Sequence, residues 1–344
     1  MSEFVFVSVM IPVFNEEKFI GRCLAEVLAQ DYPADRFEVL VADGMSTDRT
    51  REIVQSIQAV HSKVRLIDNP KRIVSSGLNR ALAEARGEIV VRLDGHCEYP
   101  QDYIRRVVEL RERLGSDSAG GVLEPVGAGY VQRAIAVAYS SPVGLASSAL
   151  KATRAADAVR EVDSVHGGCW KRERLLAVGG FDEEMVRNQD DELSFRLRHS
   201  GGQIFQSLAI RVRYHVRNSF QKLLLQFLQY GYWKVRVVRK HPRQASVRHF
   251  VPAAFVLAVS GGLVAALFSS EARWGAGLLV GVYLAAIGVA ALPQLWSGEK
   301  KLWPGIVLAV VVMHVGYGAG FLLSCLQEWQ GAVPVSGVFK RSSR

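Results

Sequence analysis

Cysteine is scarce in this chain and shows no pattern typical of a cross-linked protein. Four cysteines occur among 344 residues, and none belongs to a C-x-x-C pair. They are Cys23, Cys97, Cys169 and Cys325. Because their spacing matches no disulfide framework, the sequence indicates a protein that works in reducing surroundings.

The N-terminus lacks the basic segment of a secretory signal peptide. Residues 1–13 contain no Lys or Arg, and their apolar run ends at Pro12. We therefore expect the N-terminal domain to remain in the cytosol.

Charge is missing from three stretches in the C-terminal third. Residues 250–270, 274–298 and 302–327 contain no Asp, Glu, Lys or Arg. At about 1.5 Å per residue, each stretch can cross a hydrocarbon core of about 30 Å as a helix. Lipid offers no partners to backbone groups, so such runs should be helical. The alternative is three buried helices of a soluble protein, which is disfavoured because consecutive charge-free runs of this length are rare there.

Three spans would put the C-terminal tail outside, although the tail carries Lys340, Arg341 and Arg344. Either this short tail is translocated or one apolar run is re-entrant, and we favour three spans. The predicted organisation is a cytosolic catalytic domain over residues 1–217, a basic amphipathic juxtamembrane helix over 218–249, a transmembrane region over 250–330 with spans near 250–270, 274–296 and 303–326, and a tail over 331–344.

The net charge of +9 is concentrated just before the first apolar run. The residues concerned are Lys222, Lys234, Arg236, Arg239, Lys240, Arg243 and Arg248. Such a cluster is typical of the cytosolic side of a membrane span and attracts anionic lipid headgroups. Nucleic-acid binding is disfavoured because the cluster adjoins an apolar segment and no nucleic-acid motif accompanies it.

Strand and helix patterns alternate over the first 125 residues. The predicted strands cover 4–13, 37–42, 64–68, 88–93 and 120–123, and the predicted helices cover 16–30, 47–60, 74–85 and 101–114. This order predicts an α/β fold with a mostly parallel sheet and helices on both faces. Ligands of such sheets bind where the strands end.

Polar residues follow four of these predicted strands. They are Asn15-Glu16-Glu17, the run Asp43–Thr50, then Asn69, Lys71 and Arg72, and finally Asp94-Gly95-His96. A single Asp-Gly turn would be explained by folding alone, but together these residues predict one charged cleft.

Five motifs, in this order, resemble those of the family 2 glycosyltransferases, which have a GT-A fold, a Rossmann-like fold for nucleotide-diphospho-sugars. They are SVMIPVFNE at 8–16, VADGMSTDRT at 41–50, DGH at 94–96, GGFDE at 179–183 and QDDELSFRL at 189–197. The resemblance covers about residues 5–240 and is greatest to bacterial succinoglycan-type glucosyltransferases, which add glucose to an undecaprenyl-diphosphate-linked sugar.

The resemblance implies a UDP-sugar site in the first half of the chain. It assigns to this site Pro12, Val13, Phe14, Glu16, Asp43, Ser46, Arg72, Asp94 and Gly95. Asp43 would accept the N3–H of uracil, and Arg72 would face the uridine. In the competing interpretation, Asp43 only shapes an Asp-Gly turn, and Asp48 caps the next helix.

Asp94-Gly95-His96 stands where the family has its metal motif, Asp-x-Asp. The resemblance therefore implies that Asp94 and His96 bind a divalent ion, Mn²⁺ or Mg²⁺. An imidazole in place of the second carboxylate favours manganese, because magnesium prefers oxygen ligands. Alternatively, His96 is a cleft histidine that is bonded to a neighbour.

Matching QDDEL to the family pattern puts Asp190 at the position of the general base, with Asp191 as the next candidate. A carboxylate there can take the proton of an acceptor hydroxyl as it attacks the anomeric carbon, with inversion. Both residues also start a predicted helix, where a negative charge stabilises the helix dipole.

The acceptor side is assigned to His166, Gly167 and Gly168 by the resemblance, and to Arg236 and Arg239 by their position in a basic amphipathic helix over 223–238. The glycines could equally serve a tight turn, and the arginines could simply bind anionic lipid. Cys169 is interpreted as a packed residue rather than a nucleophile. A second interfacial helix is predicted over 130–150.

Together these features predict a metal-dependent, inverting transferase at the bacterial inner membrane, with its catalytic domain in the cytosol. It would move a hexose, glucose by resemblance, from a UDP-sugar to a polyprenyl-diphosphate-linked saccharide in exopolysaccharide biosynthesis. The oligomeric state is not indicated.

Four alternatives were weighed against this prediction. The first is a transferase to polyprenyl phosphate. The second is a processive synthase, which three spans and the missing Arg-Trp pair at 226–230 disfavour. The third is a silent scaffold, which would need none of Asp43, Asp94 and Asp190. The fourth is a transporter, which is disfavoured because the apolar runs contain no Asp, Glu, Lys or Arg and a single histidine, His314.

Overall fold

The computed structural model describes residues 4–141, 143–144, 158–293 and 300–330. Within these residues the chain divides into two compact units. The sheet unit comprises residues 4–124 and 158–214, and the helical unit comprises residues 125–144 and 215–330. The predicted catalytic domain over 1–217 thus differs from the sheet unit, since residues 125–144 group with the C-terminal helices.

The sheet contains nine strands within the described residues. They are β1 (Val7–Val13), β2 (Phe37–Asp43), β3 (Val64–Asp68), β4 (Ile89–Arg92), β5 (Cys97–Glu98), β6 (Ser118–Val126), β7 (Val159–Glu161), β8 (Cys169–Lys171) and β9 (Ile204–His215). The helices of the sheet unit are α1 (Ile20–Leu28), α2 (Thr50–Val60), α3 (Val74–Glu84), α4 (Tyr103–Leu114), α6 (Arg172–Ala177) and α7 (Gln189–His199). Most predicted boundaries are correct to within three or four residues.

The strand order is β3-β2-β1-β4-β8-β6-β9-β5, with β7 beside β9. The first four strands are parallel, as predicted, because a helix returns the chain after each of β1, β2 and β3. The prediction of a mostly parallel sheet is wrong for the other half. Strand β8 is antiparallel to both β4 and β6, and β9 is antiparallel to β5 and β7.

Strands β1 and β2 are apolar and almost completely buried, as expected for central strands covered on both faces. One core cluster joins Met10, Leu40 and Val90 of the sheet to Leu78 of α3 and Leu193 of α7. Helices α3 and α7 are therefore fixed against the same part of the sheet. This packing sets the position of the residues at the start of α7.

The helical unit contains α5 (Gly129–Ser140), α8 (Phe220–Lys240), α9 (Val247–Ala265), α10 (Ser270–Ala290) and α11 (Trp303–Trp329). Three segments are long and apolar enough to cross a membrane: Val247–Ala265, Ser270–Ala290 and Lys300–Trp329. The prediction of three such helices is confirmed. The basic tail over 331–344 lies outside the described residues. Of the predicted interfacial helix over 130–150, the first part is α5, and most of the part after α5 also lies outside the described residues.

Helices α8 and α11 pack closely because glycines line their contact. A β-carbon added at Gly316 would lie 3.0 Å from the carbonyl oxygen of Leu224, and one at Gly320 would collide with the carbonyl of Leu228. Small residues four apart let helices approach in this way. His314 of α11 contacts the hydroxyl of Tyr283 and the carbonyl of Val143, at 3.0 and 2.8 Å.

Candidate active site

The loops that follow β1 and β2 are joined by reciprocal hydrogen bonds. The Asn15 backbone N–H donates to the Ser46 hydroxyl at 2.8 Å, and the Thr47 N–H donates to Asn15 Oδ1 at 2.9 Å. The Glu16 N–H donates to the Thr50 hydroxyl at 2.7 Å. Asn15 has a left-handed φ of 55°, a conformation that asparagine tolerates better than most residues. The two loops therefore form one wall at the carboxyl ends of neighbouring parallel strands.

Asp43 is completely buried beneath this wall. Its Oδ1 accepts the Ser46 hydroxyl at 2.5 Å, while its Oδ2 accepts the Ser46 N–H at 3.0 Å and Arg51 Nη1 at 2.7 Å. Arg51 also reaches Asp68 at 2.8 Å. These contacts give Asp43 the turn-shaping role, whereas its contact with uracil stays a prediction. Asp48 has a similar structural role, because it accepts the backbone N–H and the hydroxyl of Thr50.

The other predicted nucleotide-sugar residues lie around the end of β1. Pro12 pairs in register with Ala42, and the Val13 carbonyl accepts the Gly44 N–H at 2.8 Å. A β-carbon added at Gly44 would lie 3.2 Å from the Phe14 ring, and one at Gly95 would lie 3.3 Å from Val13 Cγ1. The structure therefore groups Pro12, Val13, Phe14 and Gly95. Arg72 is exposed in the loop after β3, with a φ of 60°.

A buried arginine at the end of β4 connects the predicted metal ligand to the predicted base. Arg92 Nε and Nη2 lie 3.1 and 3.0 Å from Asp94 Oδ1, and Arg92 Nη1 contacts Asp190 Oδ1. His166 Nε2 lies 3.0 Å from Asp94 Oδ2, within the range of an ion pair. The structure thus brings together three residues that the sequence analysis had assigned to three different roles.

The cluster is layered from inside to outside. The Arg92 and Asp94 side chains are 4% and 10% exposed, whereas those of Asp190 and His166 are 22% and 26% exposed. Asp190 and His166 are therefore the most exposed members of the cluster. Arg92 was missed in the sequence, although a charged residue inside the otherwise apolar run Ile89–Leu93 was a signal that could have revealed it.

Burial and neighbouring charges shift the pKa of each member. Burial outweighs the opposing charges of Arg92 and His166 and raises the pKa of Asp190. Burial alone would raise the pKa of Asp94 too, but Arg92 and His166 hold that pKa well below its usual range. Burial disfavours the charged form of His166, yet Asp94 and Asp190 outweigh it and raise the pKa of that imidazole. Asp190 is therefore the stronger base of the two carboxylates.

Asp190 and Asp191 lie in the first turn of α7, next to the left-handed Asn188 at the helix start. Their charges favour this helix end, as the competing interpretation proposed. Arg196 fixes the same helix to the preceding turn: it makes two 2.7 Å bonds to the fully buried carboxylate of Glu192 within α7, and its Nη2 donates to the Gly180 carbonyl at 2.7 Å. The catalytic role of Asp190 stays a prediction.

The GGFDE turn is fixed to α3, which further determines where α7 begins. The Phe181 N–H donates to Asn79 Oδ1 at 2.8 Å, and Asn79 Nδ2 donates to the Phe181 carbonyl at 2.7 Å. Ser75 Oγ donates to the Met185 carbonyl at 2.7 Å, and Lys71 pairs with Glu183 at 2.6 Å. The loop after β3 and the segment before Asp190 are thereby connected.

The residues predicted to bind a metal offer a partial set of ligands. His96 Nδ1 lies 3.9 Å from Glu16 Oε1, and both Asp94 oxygens face the cations Arg92 and His166. The described residues include no group of three His, Cys, Asp or Glu side chains placed to hold an ion. An ion that arrives with a diphosphate needs only one or two protein ligands, and manganese accepts carboxylate and imidazole together. The assignment of Asp94 and His96 to an ion of that kind stays a prediction.

The loop before β8 lies against Arg92. Gly167 and Gly168 have φ values of 70° and 118°, and the Gly168 carbonyl accepts the Arg92 N–H at 3.0 Å. A β-carbon at Gly168 would collide with the Trp170 ring. Packing and the left-handed backbone therefore explain glycine at these positions without a ligand. Their predicted contact with an acceptor remains a prediction. Cys169 is packed as expected, because it is buried and burial raises its pKa to about 12.

Arg236 and Arg239, predicted for the acceptor side, lie on α8 in the helical unit. Both contact Glu328 of α11, Arg236 at 3.7 Å. Arg236 also lies over the Trp233 ring, 5.3 Å from its centre. Their role toward an acceptor stays a prediction.

Comparisons with known proteins identify the family of this chain. Residues 8–155 match the family described as glycosyl transferase family 2. The succinoglycan biosynthesis protein ExoA of Rhizobium meliloti is 33% identical over 315 residues, which cover 91% of this chain and 93% of that protein. A dolichyl N-acetyl-alpha-D-glucosaminyl phosphate diacetamido-dideoxyglucuronosyltransferase of Methanococcus voltae is 24% identical and covers 92% and 96% of the two chains.

The fold also matches a solved structure. The mannosyltransferase PcManGT of Pyrobaculum calidifontis, in complex with GDP-Man and Mn²⁺, superposes with a TM-score of 0.62 and 22% identity, over 91% of this chain and 88% of that one. The predicted GT-A fold is confirmed. Together, the motifs, the fold and the long match to a family relative establish that the chain belongs to glycosyl transferase family 2.

Proposed function

We propose that this protein is an inverting hexosyltransferase that moves one hexose, glucose in the first instance, from a UDP-sugar to a polyprenyl-diphosphate-linked saccharide in exopolysaccharide biosynthesis. The observation that carries this proposal is the Arg92 cluster, in which a carboxylate suited to a donor-bound metal, Asp94, is joined to a base-like carboxylate, Asp190. The relatives support the class of acceptor, since one is a succinoglycan biosynthesis protein and another bears a dolichyl phosphate in its name.

Asp190 is the group that accepts the proton. The acceptor hydroxyl oxygen attacks the anomeric carbon while Asp190 takes the hydroxyl proton, and the bond from that carbon to the diphosphate oxygen breaks to release UDP. Attack opposite the leaving group inverts the anomeric configuration. The partial exposure of Asp190 and its raised pKa both suit this role.

The leaving diphosphate gains negative charge as the bond breaks. A divalent ion bound with it would neutralise that charge, and we assign Asp94 and His96 as its protein ligands, with manganese preferred. The wall formed by the loops after β1 and β2 would hold the nucleoside, with Asp43 and Ser46 setting its shape.

The membrane arrangement forms part of the proposal. We infer an inner-membrane protein with the sheet unit in the cytosol, because basic residues of α8 and its C-terminal extension precede the first apolar helix. For Arg236 and Arg239 to bind an acceptor diphosphate, that anion must replace Glu328 as their partner.

A transfer assay tests this function. Full-length protein in detergent or lipid nanodiscs is given radiolabelled UDP-sugars, Mn²⁺ or Mg²⁺, and polyprenyl-diphosphate-linked saccharides. We expect one sugar per acceptor, and a loss of about 100-fold or more in Asp190→Asn, the usual share of a general base. The Asp191→Asn variant is the matched neighbour and should lose far less.

Two results would contradict the proposal. Long products would favour a processive synthase. The absence of product with every donor, together with unchanged donor hydrolysis in Asp190→Asn, would favour a scaffold. An acceptor linked through a single phosphate is the second candidate, which the name of the Methanococcus relative favours, and it is tested in the same assay.

A further inference from the structure

Asp94 and Asp190 each have a role in the proposed transfer, whereas Arg92, which contacts both, does not itself touch the donor or the acceptor in that reaction. Arg92 ends strand β4, where Ile89, Val90 and Val91 are all completely buried, and it is itself 3% exposed. Removing a guanidinium from water costs several kcal/mol, and replacing buried ion pairs by apolar residues often stabilises a fold. Stability of the sheet therefore does not explain an arginine at this position.

The geometry of the side chain does offer an explanation. One edge of the guanidinium, Nε and Nη2, faces Asp94, and the remaining nitrogen, Nη1, faces Asp190, which is 98 positions away along the chain. The guanidinium is planar and its nitrogens are fixed relative to one another, so it sets both the distance and the direction between its two partners. An ammonium group is a point charge on a flexible stem and cannot do this.

The surroundings of Arg92 are fixed as well. Its backbone N–H donates to the Gly168 carbonyl at 3.0 Å, which holds the loop carrying His166. At the other end of the cluster, Asp190 lies in the first turn of α7, and Arg196 of this helix donates to the Gly180 carbonyl of the preceding turn at 2.7 Å. Arg92 therefore joins two rigid elements at the point where their carboxylates face each other.

We propose that Arg92 is a positioning residue that sets the separation between the base Asp190 and the donor-side carboxylate Asp94. It acts through these two residues, and the proposal rests on the function proposed above. If the base is fixed relative to the donor site, the acceptor hydroxyl is aligned with the bond that breaks. A misplacement of about 1 Å in such an arrangement can cost about 100-fold in rate.

The test is a double-mutant cycle with Arg92→Lys and Asp190→Asn in full-length protein in nanodiscs. Arg92→Lys keeps the positive charge but loses the planar guanidinium with its fixed nitrogens. We therefore expect kcat to fall by about 100-fold while KM for the donor changes by less than about threefold. In the Asp190→Asn background the same substitution should change kcat by less than about threefold, because the base whose position relative to Asp94 is set by Arg92 has already been removed.

Arg65→Lys is the matched control. Arg65 also contacts two carboxylates, Glu38 at 3.1 Å and Glu84 at 3.2 Å, but it does so away from the cluster. This variant should keep kcat within about twofold of the wild type even if its thermal midpoint falls. Thermal unfolding of every variant separates loss of the fold from loss of rate, and Arg92→Gln replaces Arg92→Lys if the latter does not fold.

The outcomes separate this inference from the proposed function. Unchanged kcat in Arg92→Lys, or an equal loss with and without Asp190, would overturn the positioning role and leave the function standing. If the wild type transfers no sugar, the proposed function fails, and the same cycle is then measured on UDP-sugar hydrolysis, where Asp190 activates water. An unchanged hydrolysis rate in Arg92→Lys, or no hydrolysis by the wild type, would overturn the inference as well.

Discussion

Arg51 and Arg92 of the sheet unit each join two carboxylates, at the ends of different strands. Arg51 joins Asp43 to Asp68 beside β2 and β3, a group that we call the outer bridge. Its arginine is 27% exposed, and Asp68 is 54% exposed. Water therefore screens much of the charge, and the bridge mainly fixes the loop over 44–50.

The group formed by Arg92, Asp94 and Asp190, which we call the inner bridge, has the same chemical composition in different surroundings. None of its side chains is more than 22% exposed, so its charges act on one another with little screening. The pKa of Asp190 is raised and that of Asp94 is lowered within this one group. Asp43 of the outer bridge is also completely buried, so the two bridges differ in the exposure of the arginine and of the second carboxylate. We propose that only the inner bridge takes part in the chemistry.

The largest effect of any substitution in the two bridges is expected at Asp94. Asp94→Asn removes the carboxylate that faces buried Arg92 and half-buried His166, and it removes one of the two proposed metal ligands. We expect transfer to fall by about 100-fold or more and the free energy of unfolding to fall by about 3–5 kcal/mol, as for other broken buried pairs. Transfer assays with Mn²⁺ and denaturant unfolding measure the two effects. Wild-type rates in this variant would remove the distinction between the bridges.

The pH dependence of kcat sharpens the comparison. Asp190 must be ionised to accept a proton, and its pKa is raised above the ordinary value of 3.8. As pH falls through that raised pKa, kcat should fall by about tenfold per unit. Asp94 keeps its stabilising charge across this range, because its pKa is lowered and its contribution is lost only at still lower pH. Circular dichroism should show a folded protein over the whole pH range in which kcat falls. An acid limb that coincides with unfolding would contradict this prediction.

Asp43→Asn tests what the outer bridge does. The amide keeps the size of the side chain but weakens the contacts to Ser46 and Arg51, so the nucleoside wall should loosen. We expect KM for the donor to rise by about tenfold, equivalent to about 1.4 kcal/mol, with kcat within about threefold.

The choice of nucleobase in the ligand separates the two interpretations of Asp43. Calorimetry with UDP, CDP and GDP should show uniform weakening if Asp43 only shapes the turn. A loss confined to UDP would mean that Asp43 contacts uracil directly. Ser46→Ala removes one donor to Asp43 and is the milder control.

The contrast between the bridges also marks what the sequence could and could not predict. Strands β1 to β4 were predictable because long apolar runs must be buried, and the polar residues after them were predictable because parallel strands end at one edge. The antiparallel half was not, since the short strand β8 follows no crossover helix and has little periodicity of its own. The contact of Arg92 with Asp190 depends on how α7 packs on α3, which no local pattern contains.

The smallest effect is expected at the exposed end of the outer bridge. In Asp68→Asn, Arg51 keeps its 2.7 Å contact with Asp43 and loses only a partner that water can replace. Exposed ion pairs contribute about 0–1 kcal/mol, so stability should change by no more than that and kcat and KM by less than about twofold. The same assays and unfolding curves measure both. If Asp68→Asn matched Asp94→Asn in its loss of rate, exposure would not be what separates the bridges, and the loop over 44–50 would have to take part in the chemical step itself.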